Sequence, residues 1–377
     1  MITFEGRVKA PEIITVAAVG DVLLHDTVQR YAMNQETGFM SLFGPVVDLI
    51  QGADVAFANL EGPVAAGVTK RGRVTAPPQR LWDRWVYTGY PMFNYHPSVV
   101  RSLKDAGFDV LQTANNHSMD RFAIGADKTI EALEAEGLKF TGTRKRGEMV
   151  RPWHAITTIS KGDRHWRLAW LACSYGTNGI PDHADQVLLC YKHKARVLQM
   201  ISGLSRRDDI DAVLFTPHWG AEYRHEANRR QKALAEDAIN AGATAVIGSH
   251  PHVMQPIEKY VTASGREGLV AYSLGNFVSN QIGLPRRSSI ILMLGLKPTP
   301  SGKLQMAAMG WIPIWMRNYG NRMQVEAIDR AGPVALRNLL HLRQILPRAN
   351  QLPASSDYWR QYDCCPDRRH DRLEGEY

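Results

Sequence analysis

Short apolar runs bounded by turn formers alternate with helix-periodic stretches through the first two-thirds of the chain. Ile13–Gly20, Asp54–Leu60, Phe108–Ala114, Asp211–Pro217 and Thr244–Gly248 have the length and punctuation of buried strands. Segments near Pro97–Ala106, Ile124–Glu136, Lys192–Leu204 and Glu226–Ala241 carry apolar residues at helical spacing. In the last, Leu234, Ala238 and Ile239 share one face while Arg229, Arg230 and Lys232 fall on the solvated side. Strands alternating with helices predict an α/β fold with a largely parallel sheet. Beyond Pro256 the pattern changes to Ile257–Thr262, Leu269–Ser273, Ser289–Leu296, Leu304–Ile312 and Met323–Ile328, strands joined by turns such as SGRE and PSGK. That strand-rich half predicts a second, more antiparallel sheet packed on the first. Ala335–Ile345 reads as a terminal helix, and the charged, proline-interrupted remainder as a poorly ordered tail. The expected layout is one domain over residues 1–330, followed by the helix and tail over 331–377.

Composition narrows the class. The chain has 377 residues, 44% hydrophobic and 22% charged, enough to bury a large core without disulfide or metal staples. This excludes a disordered polyelectrolyte, a collagen-like chain and a disulfide-rich miniprotein. No apolar run approaches the roughly 18 residues of a membrane span, and the first residues lack a signal-peptide core. The expectation for the chain as given is a cytoplasmic protein without a transmembrane segment, membrane-associated at most through partners. Cys173, Cys190, Cys364 and Cys365 show no CxxC spacing and read as reduced bystanders. The net charge of +8 comes mostly from 32 arginines against 13 lysines. Their scatter fits a solvated surface as well as an acidic partner, and no zinc-finger, RNP-type or basic-helix pattern points to nucleic acid.

What stands at the end of each parallel-type strand changes the picture. The first strand delivers Asp21, with His25 and Asp26 just beyond, and the second delivers Asn59 and Glu61. The third delivers Asn115, Asn116 and His117; the fourth, His218 and then Glu222; the fifth, His250 and His252. Any one of these is an ordinary capping or turn residue. Five strand ends aiming Asp, Glu, Asn and His at the crevice outside the carboxyl edge of an α/β sheet indicate a site. Such nitrogen and oxygen donors suit a divalent metal such as zinc, manganese or iron. Pro251 holds His250 extended, so the rings of His250 and His252 meet only if the backbone turns there.

In order and spacing, GDVLLHD (20–26), NLEGPV (59–64), TANNHSMD (113–120), HWGAEY (218–223), GSHPHVMQP (248–256) and YSLGNFV (272–278) resemble the CapA family. That family is linked to bacterial poly-γ-glutamate capsule synthesis, and its fold is related to the calcineurin-like metallophosphatases. The likeness runs from about residue 13 to 280. It implies a four-layer α/β/β/α sandwich. By position it implies that Asp21, Glu61, Asn116, His218, His250 and His252 hold a divalent metal. Asp21 and His117 become the catalytic pair, with His117 protonating the leaving group. Asn59, Asn115, Glu222 and Asn276 stand in the same motifs as expected substrate contacts. The chain departs from the phosphatases of that fold in two places. Asp21-Val22-Leu23 replaces Asp-x-His, and Asn59-Leu60-Glu61 replaces Gly-Asp-x-x-Asp, which weakens a two-metal reading.

The segment from Glu61 to Tyr95 places Arg71, Arg73, Arg80 and Arg84 among Trp82, Trp85, Tyr87, Tyr90 and Tyr95. Guanidinium and aromatic groups together suit an acidic peptide or a poly-γ-glutamate-like polymer, with Arg71 and Arg73 as candidate contacts. Three functions follow from the resemblance. The first is a metal-dependent hydrolase-type enzyme on an acidic peptide-like or phosphorylated substrate. The second is a non-catalytic polymer-binding component working with capsule-synthesis proteins. The third is a metal-free peptide epimerase using Asp21 and a histidine as bases.

Overall fold

The computed structural model describes residues 1–5, 13–319 and 321–355. Its strands are β1 (Ile14–Val22), β2 (Val55–Leu60), β3 (Val110–Gln112), β4 (Lys139–Thr141), β5 (His154–Lys161), β6 (Arg164–Ser174), β7 (Ala212–His218), β8 (Ala245–Ile247), β9 (Ile257–Val261), β10 (Glu267–Ala271), β11 (Asn276–Val278), β12 (Ser288–Pro298), β13 (Leu304–Tyr319) and β14 (Arg322–Ala327). They form two sheets. The first has the order β14-β13-β12-β1-β2-β3-β4, with β11 also paired to β1. In it β1 to β4 run parallel, while β12 joins β1 antiparallel and β13 and β14 continue outward. The second has the order β5-β6-β7-β8-β10-β9, parallel from β6 through β10 and edged by antiparallel β5 and β9.

Period-two alternation sorts the side chains into layers. In β1, Ile14, Val16 and Ala18 enter the core between the sheets, while Ala17 and Val19 face the helices. The inter-sheet core joins them to Phe57 and Val110 on one side and to Leu168, Trp170, Leu214 and Ile247 on the other. Phe57 and Trp170 stack across it with ring centroids 5.4 Å apart. Helices Asp26–Met33, Ser98–Asp105 and Phe122–Ala135 cover the outer face of the first sheet through Val28, Val100, Leu103 and Ile130. Lys194–Arg206 and Arg229–Ala241 cover the second through Val197, Ile201, Leu234 and Ala238. Each such apolar side chain stabilises the packing by about 1.5–3 kcal/mol. The result is the expected α/β/β/α sandwich.

Three expectations need correction. The strand-rich half does not form its own sheet: β9 and β10 complete the second sheet, whereas β12 to β14 widen the first. The cause is β12, buried on both faces, which pairs with β1 from Ile14↔Leu296 to Ala18↔Leu292. The five strands expected in one largely parallel sheet are also divided, β1 to β3 in the first sheet and β7 and β8 in the second, which the hairpin β5–β6 extends; charges at Arg164, His165 and Arg167 mask the apolar run of β6. Finally, Cys173 and Cys190 are joined in a buried disulfide, tying the end of β6 to the segment that enters helix Lys194–Arg206. Cys364, Cys365 and the expected tail lie outside the described residues. The terminal helix spans Leu336–Ile345 and contributes Leu342 to the inter-sheet core. No described helix is long and apolar enough to cross a membrane.

Candidate metal centre

The carboxyl ends of β1, β2 and β3 meet those of β6, β7 and β8. Gly20 permits this at β1, because a Cβ there would lie 1.8 Å from the carbonyl oxygen of Gly275. The amide of Asp21 donates to that oxygen (3.0 Å), and Asp21 falls in register with Asn59 and Asn276. Glu61 follows β2, its amide donating to the carbonyl of Val22 (3.1 Å), and His218 closes β7. His250 and His252 follow β8 with φ of +100° and +58°. These left-handed values are costly for residues with a Cβ. They are the turn that brings both rings to one place despite Pro251.

Asp21, Glu61 and His218 offer donor atoms within 4.8 Å of one another, and so do Glu61, His250 and His252. All five side chains are buried. Glu61 links the two sets: its Oε1 lies 3.5 Å from His218 Nε2 and 3.7 Å from His252 Nε2, and no hydrogen bond reaches it. His250 Nδ1 is also buried without a partner. Leaving such atoms unpaired costs about 1–3 kcal/mol each. Burial, and next the Asp21 carboxylate, raise Glu61 well above the usual carboxyl range. Burial, and next the His250 ring, lower His218 well below an ordinary imidazole, and burial does the same to His250. Orphaned oxygen and nitrogen donors, an expensive carboxylate and neutral imidazoles together fit a divalent cation.

The remaining donors are held in orientation. Asn59 Nδ2 donates to Asp21 Oδ1 (2.8 Å), and His252 Nδ1 lies 2.9 Å from Asp21 Oδ2 and 3.0 Å from Asn276 Oδ1. His218 Nδ1 pairs with Ser249 Oγ (2.9 Å), while its Nε2 lies 2.7 Å from Asn116 Oδ1. His117 stands apart from this set. Its Nδ1–H donates to Asp120 Oδ2 (2.8 Å), which also accepts from the Phe93 amide (2.7 Å). The Phe93 ring packs edge-on to His117 with centroids 4.7 Å apart. The His117 amide donates to Asn115 Oδ1 (3.1 Å), and Asn115 Nδ2 donates to the carbonyl of Leu60 (2.8 Å). Asp120, whose carboxyl burial raises above its usual value, thus holds His117 through Nδ1 and turns Nε2 away from the carboxylate.

The expected ligands Asp21, Glu61, Asn116, His218, His250 and His252 therefore converge, with Asn59, Asn115 and Asn276 packed among them and His117 beside them. Glu222 is exposed at the mouth and adds to the charge around Glu61. Arg71 and Arg73 sit exposed in a turn closed at Thr69, and no described side-chain contact ties either to the cluster. Sequence reasoning missed Tyr175, which stacks on His218 at 12° and lies 4.5 Å from His250. It also missed Asn178, whose Oδ1 accepts from Asn116 Nδ2 (3.1 Å), and Asp120. The apolar run Leu168–Cys173, ended by Ser174, Tyr175 and Gly176, is the signal of this sixth strand end. His25 packs against Phe93 (5.4 Å), and burial pushes it down to about 4.

Comparison with known proteins places the chain among relatives. The model of the family described as bacterial capsule synthesis protein PGA_cap matches residues 15–281. The capsule biosynthesis protein CapA of Bacillus anthracis is 26% identical over 324 residues, covering 85% of this chain and 71% of that protein. The PGA biosynthesis protein CapA of Bacillus subtilis (strain 168) is 26% identical over 301 residues, covering 78% and 71%. Among solved structures, the NAD nucleotidase NadN of Haemophilus influenzae superposes with a TM-score of 0.48 at 11% identity, over 94% of this chain. The chain spans 59% of the length of that nucleotidase.

Proposed function

The chain belongs to the bacterial capsule synthesis protein family PGA_cap, and from that membership we propose that it is a metal-dependent hydrolase-type enzyme of capsule-polymer synthesis, acting on an acidic peptide-like or phosphorylated substrate. The observation that carries this reading is the unpaired Glu61 Oε1, set between His218 and His252 inside a buried Asp/Glu/His cluster. Asp21, Glu61, His218, His250 and His252 are the proposed metal holders, with Asn116 Oδ1 beside His218. A divalent metal supplies Lewis acidity and makes a water nucleophilic near neutral pH. The chain's own residues supply the rest. Asp120 keeps His117 with Nε2 turned outward, and that nitrogen gives the leaving group its proton. Asn276 and Asn59 hold Asp21 and His252, and Ser249 holds His218, so that the donors keep one orientation. Asn59 and Asn115 spend their amides inside the site, which makes them positioning groups more than substrate contacts. Tyr175 packs against His218 and His250, and Phe93 against His117.

The test is hydrolysis of bis-p-nitrophenyl phosphate, p-nitrophenyl phosphate and γ-glutamyl-p-nitroanilide by metal-loaded protein. Turnover should vanish on chelation, return with metal, and fall by about 10²–10⁴ in kcat in His117→Ala. Turnover that survives exhaustive chelation refutes the metal role. A metal-loaded chain that turns over none of these substrates supports a polymer-binding component instead.

A further inference from the structure

Two guanidinium–aromatic stacks flank the mouth of the cluster, and the chemistry above uses neither. In the first, Arg30 and Arg84 both stand over Trp82, their guanidinium carbons 5.2 and 5.1 Å from the ring centroid. The indole N–H donates to Asp26 Oδ1 (3.3 Å), as does the amide of Gly89 (2.5 Å), which anchors the stack beside His25. His25 meets Phe93, and Phe93 meets His117. In the second, Arg286 stands 4.1 Å over the ring of Tyr223, which is itself 6.2 Å from His252. Tyr223 has a φ of +64°, an uncommon value for a bulky residue. It is held there by its amide, which donates to the carbonyl of Pro251 (2.8 Å), and by Gln281 Nε2, which donates to its hydroxyl (3.4 Å).

Charge pairing sets these arginines apart. Arg144, Arg151, Arg196 and Arg317 also lie over aromatic rings, and each meets a carboxylate: Asp185, Glu134, Asp185 and Glu326 respectively. Among the described residues, Arg30, Arg84 and Arg286 have no carboxylate partner; of the stacked arginines, only Arg230 on Tyr191 shares that state, away from the cluster's contacts. Asp26 accepts two donors on Oδ1, and Asp83, between Trp82 and Arg84 in the chain, accepts the amides of Trp85, Val86 and Tyr87 on its Oδ1; neither forms an ion pair with Arg30 or Arg84. A guanidinium over a ring leaves its edge N–H groups available to the two oxygens of a carboxylate, apart from Arg286 Nη1, which donates to the carbonyl of Ile282 (3.0 Å).

We infer that the two stacks are carboxylate-binding platforms for an acidic chain lying across the mouth, with one unit over the metal centre and neighbouring carboxylates on Arg30 and Arg84 and on Arg286. One platform suffices for a small anion. Two, approached through His117 on one flank and His252 on the other, call for a ligand long enough to reach both. This rests on the substrate class proposed above and moves its recognition from Arg71 and Arg73 to these residues.

The test is isothermal titration calorimetry of the full chain, metal-loaded, with a γ-linked decaglutamate. Arg30→Ala/Arg84→Ala and Arg286→Ala should each weaken binding about tenfold, the worth of a lost charge-assisted contact. Half-molar salt should weaken the wild-type complex as well, and free glutamate should bind far more weakly than the oligomer. Variants that bind as wild type does, or binding indifferent to salt, overturn the inference. A polyphosphate that displaces the decaglutamate at lower concentration assigns the platforms to phosphate and overturns the carboxylate reading. The variants leave the buried donors untouched, so metal content measured beside each titration separates the two ideas. Metal retained with unchanged oligomer affinity defeats only the platforms, whereas a wild-type chain that takes up no metal defeats the hydrolase reading.

Discussion

Glu61→Gln is the substitution whose consequences can be worked most fully. The Glu61 side chain is completely buried with one oxygen unpaired, and burial, followed by the Asp21 carboxylate, holds its proton on well above the ordinary 4.5. A carboxyl with a raised folded pKa keeps its proton where the unfolded chain has released it, so stability falls as pH rises past 4.5. At pH 7 the unfolded carboxyl is well past its own titration, which bounds the cost at about 3 kcal/mol. Glutamine keeps the shape without the ionisation. The metal-free variant should therefore be more stable than wild type by up to about 3 kcal/mol at pH 7, and by less than about 1 kcal/mol at pH 5. For a chain of this length that is a rise in Tm of roughly 4 °C. Metal reverses the order, because binding needs the charged carboxylate and adds about 4 kcal/mol to wild type at a thousandfold excess over Kd. Scanning calorimetry in chelator, then in excess manganese or zinc, reads both signs. A wild type that melts above the variant in chelator at pH 7, or a variant that gains as much from metal, refutes the reasoning.

Gly20→Ala places a Cβ against the Gly275 carbonyl and should cost on the order of 3 kcal/mol, read by urea unfolding; a neutral result would mean that β1 and β11 can part freely. Peptide mapping without reduction should recover Cys173 linked to Cys190, and Cys173→Ser should lower stability by about 3 kcal/mol for a loop of this length. Recovery of both as free thiols contradicts the bond. His25 is pushed down to about 4, so the unfolded chain binds the extra proton first and stability drains as pH falls from 6.5 toward 4. His25→Asn should flatten that limb of the pH–stability curve, by on the order of 3 kcal/mol at its foot; an unchanged limb would exclude His25 as its source.

The strand ends were readable because parallel strands buried on both faces are nearly continuous apolar runs, and each is cut off abruptly by Asp21, Asn59, Asn115, His218 or His250. The hairpin β5–β6 was not, because β5 is a half-exposed edge strand whose burial alternates along HAITTISK, and β6 opens on charged residues. Tyr175 and Asn178 were lost with it. The Cys173–Cys190 bond depends on a segment folding back beside Ser174, where the Cys190 amide donates to the Ser174 carbonyl (2.8 Å), and no spacing rule conveys that. His250 and His252 were an open case in the sequence, since Pro251 argues for an extended segment. Only the backbone values at these two residues decide it. The arginines show the limit of composition: Arg71 and Arg73 stand in an aromatic-rich stretch, yet the ring-stacked arginines without a carboxylate partner that lie toward the cluster are Arg30, Arg84 and Arg286.

The central claim is that the buried Asp/Glu/His cluster holds metal. It is tested most directly by inductively coupled plasma mass spectrometry on protein purified without a histidine tag or chelator. Stoichiometric zinc, manganese or iron is expected, lost in Asp21→Ala and in His250→Ala. A wild-type chain that is empty, and stays empty after dialysis against each of these metals, would contradict it.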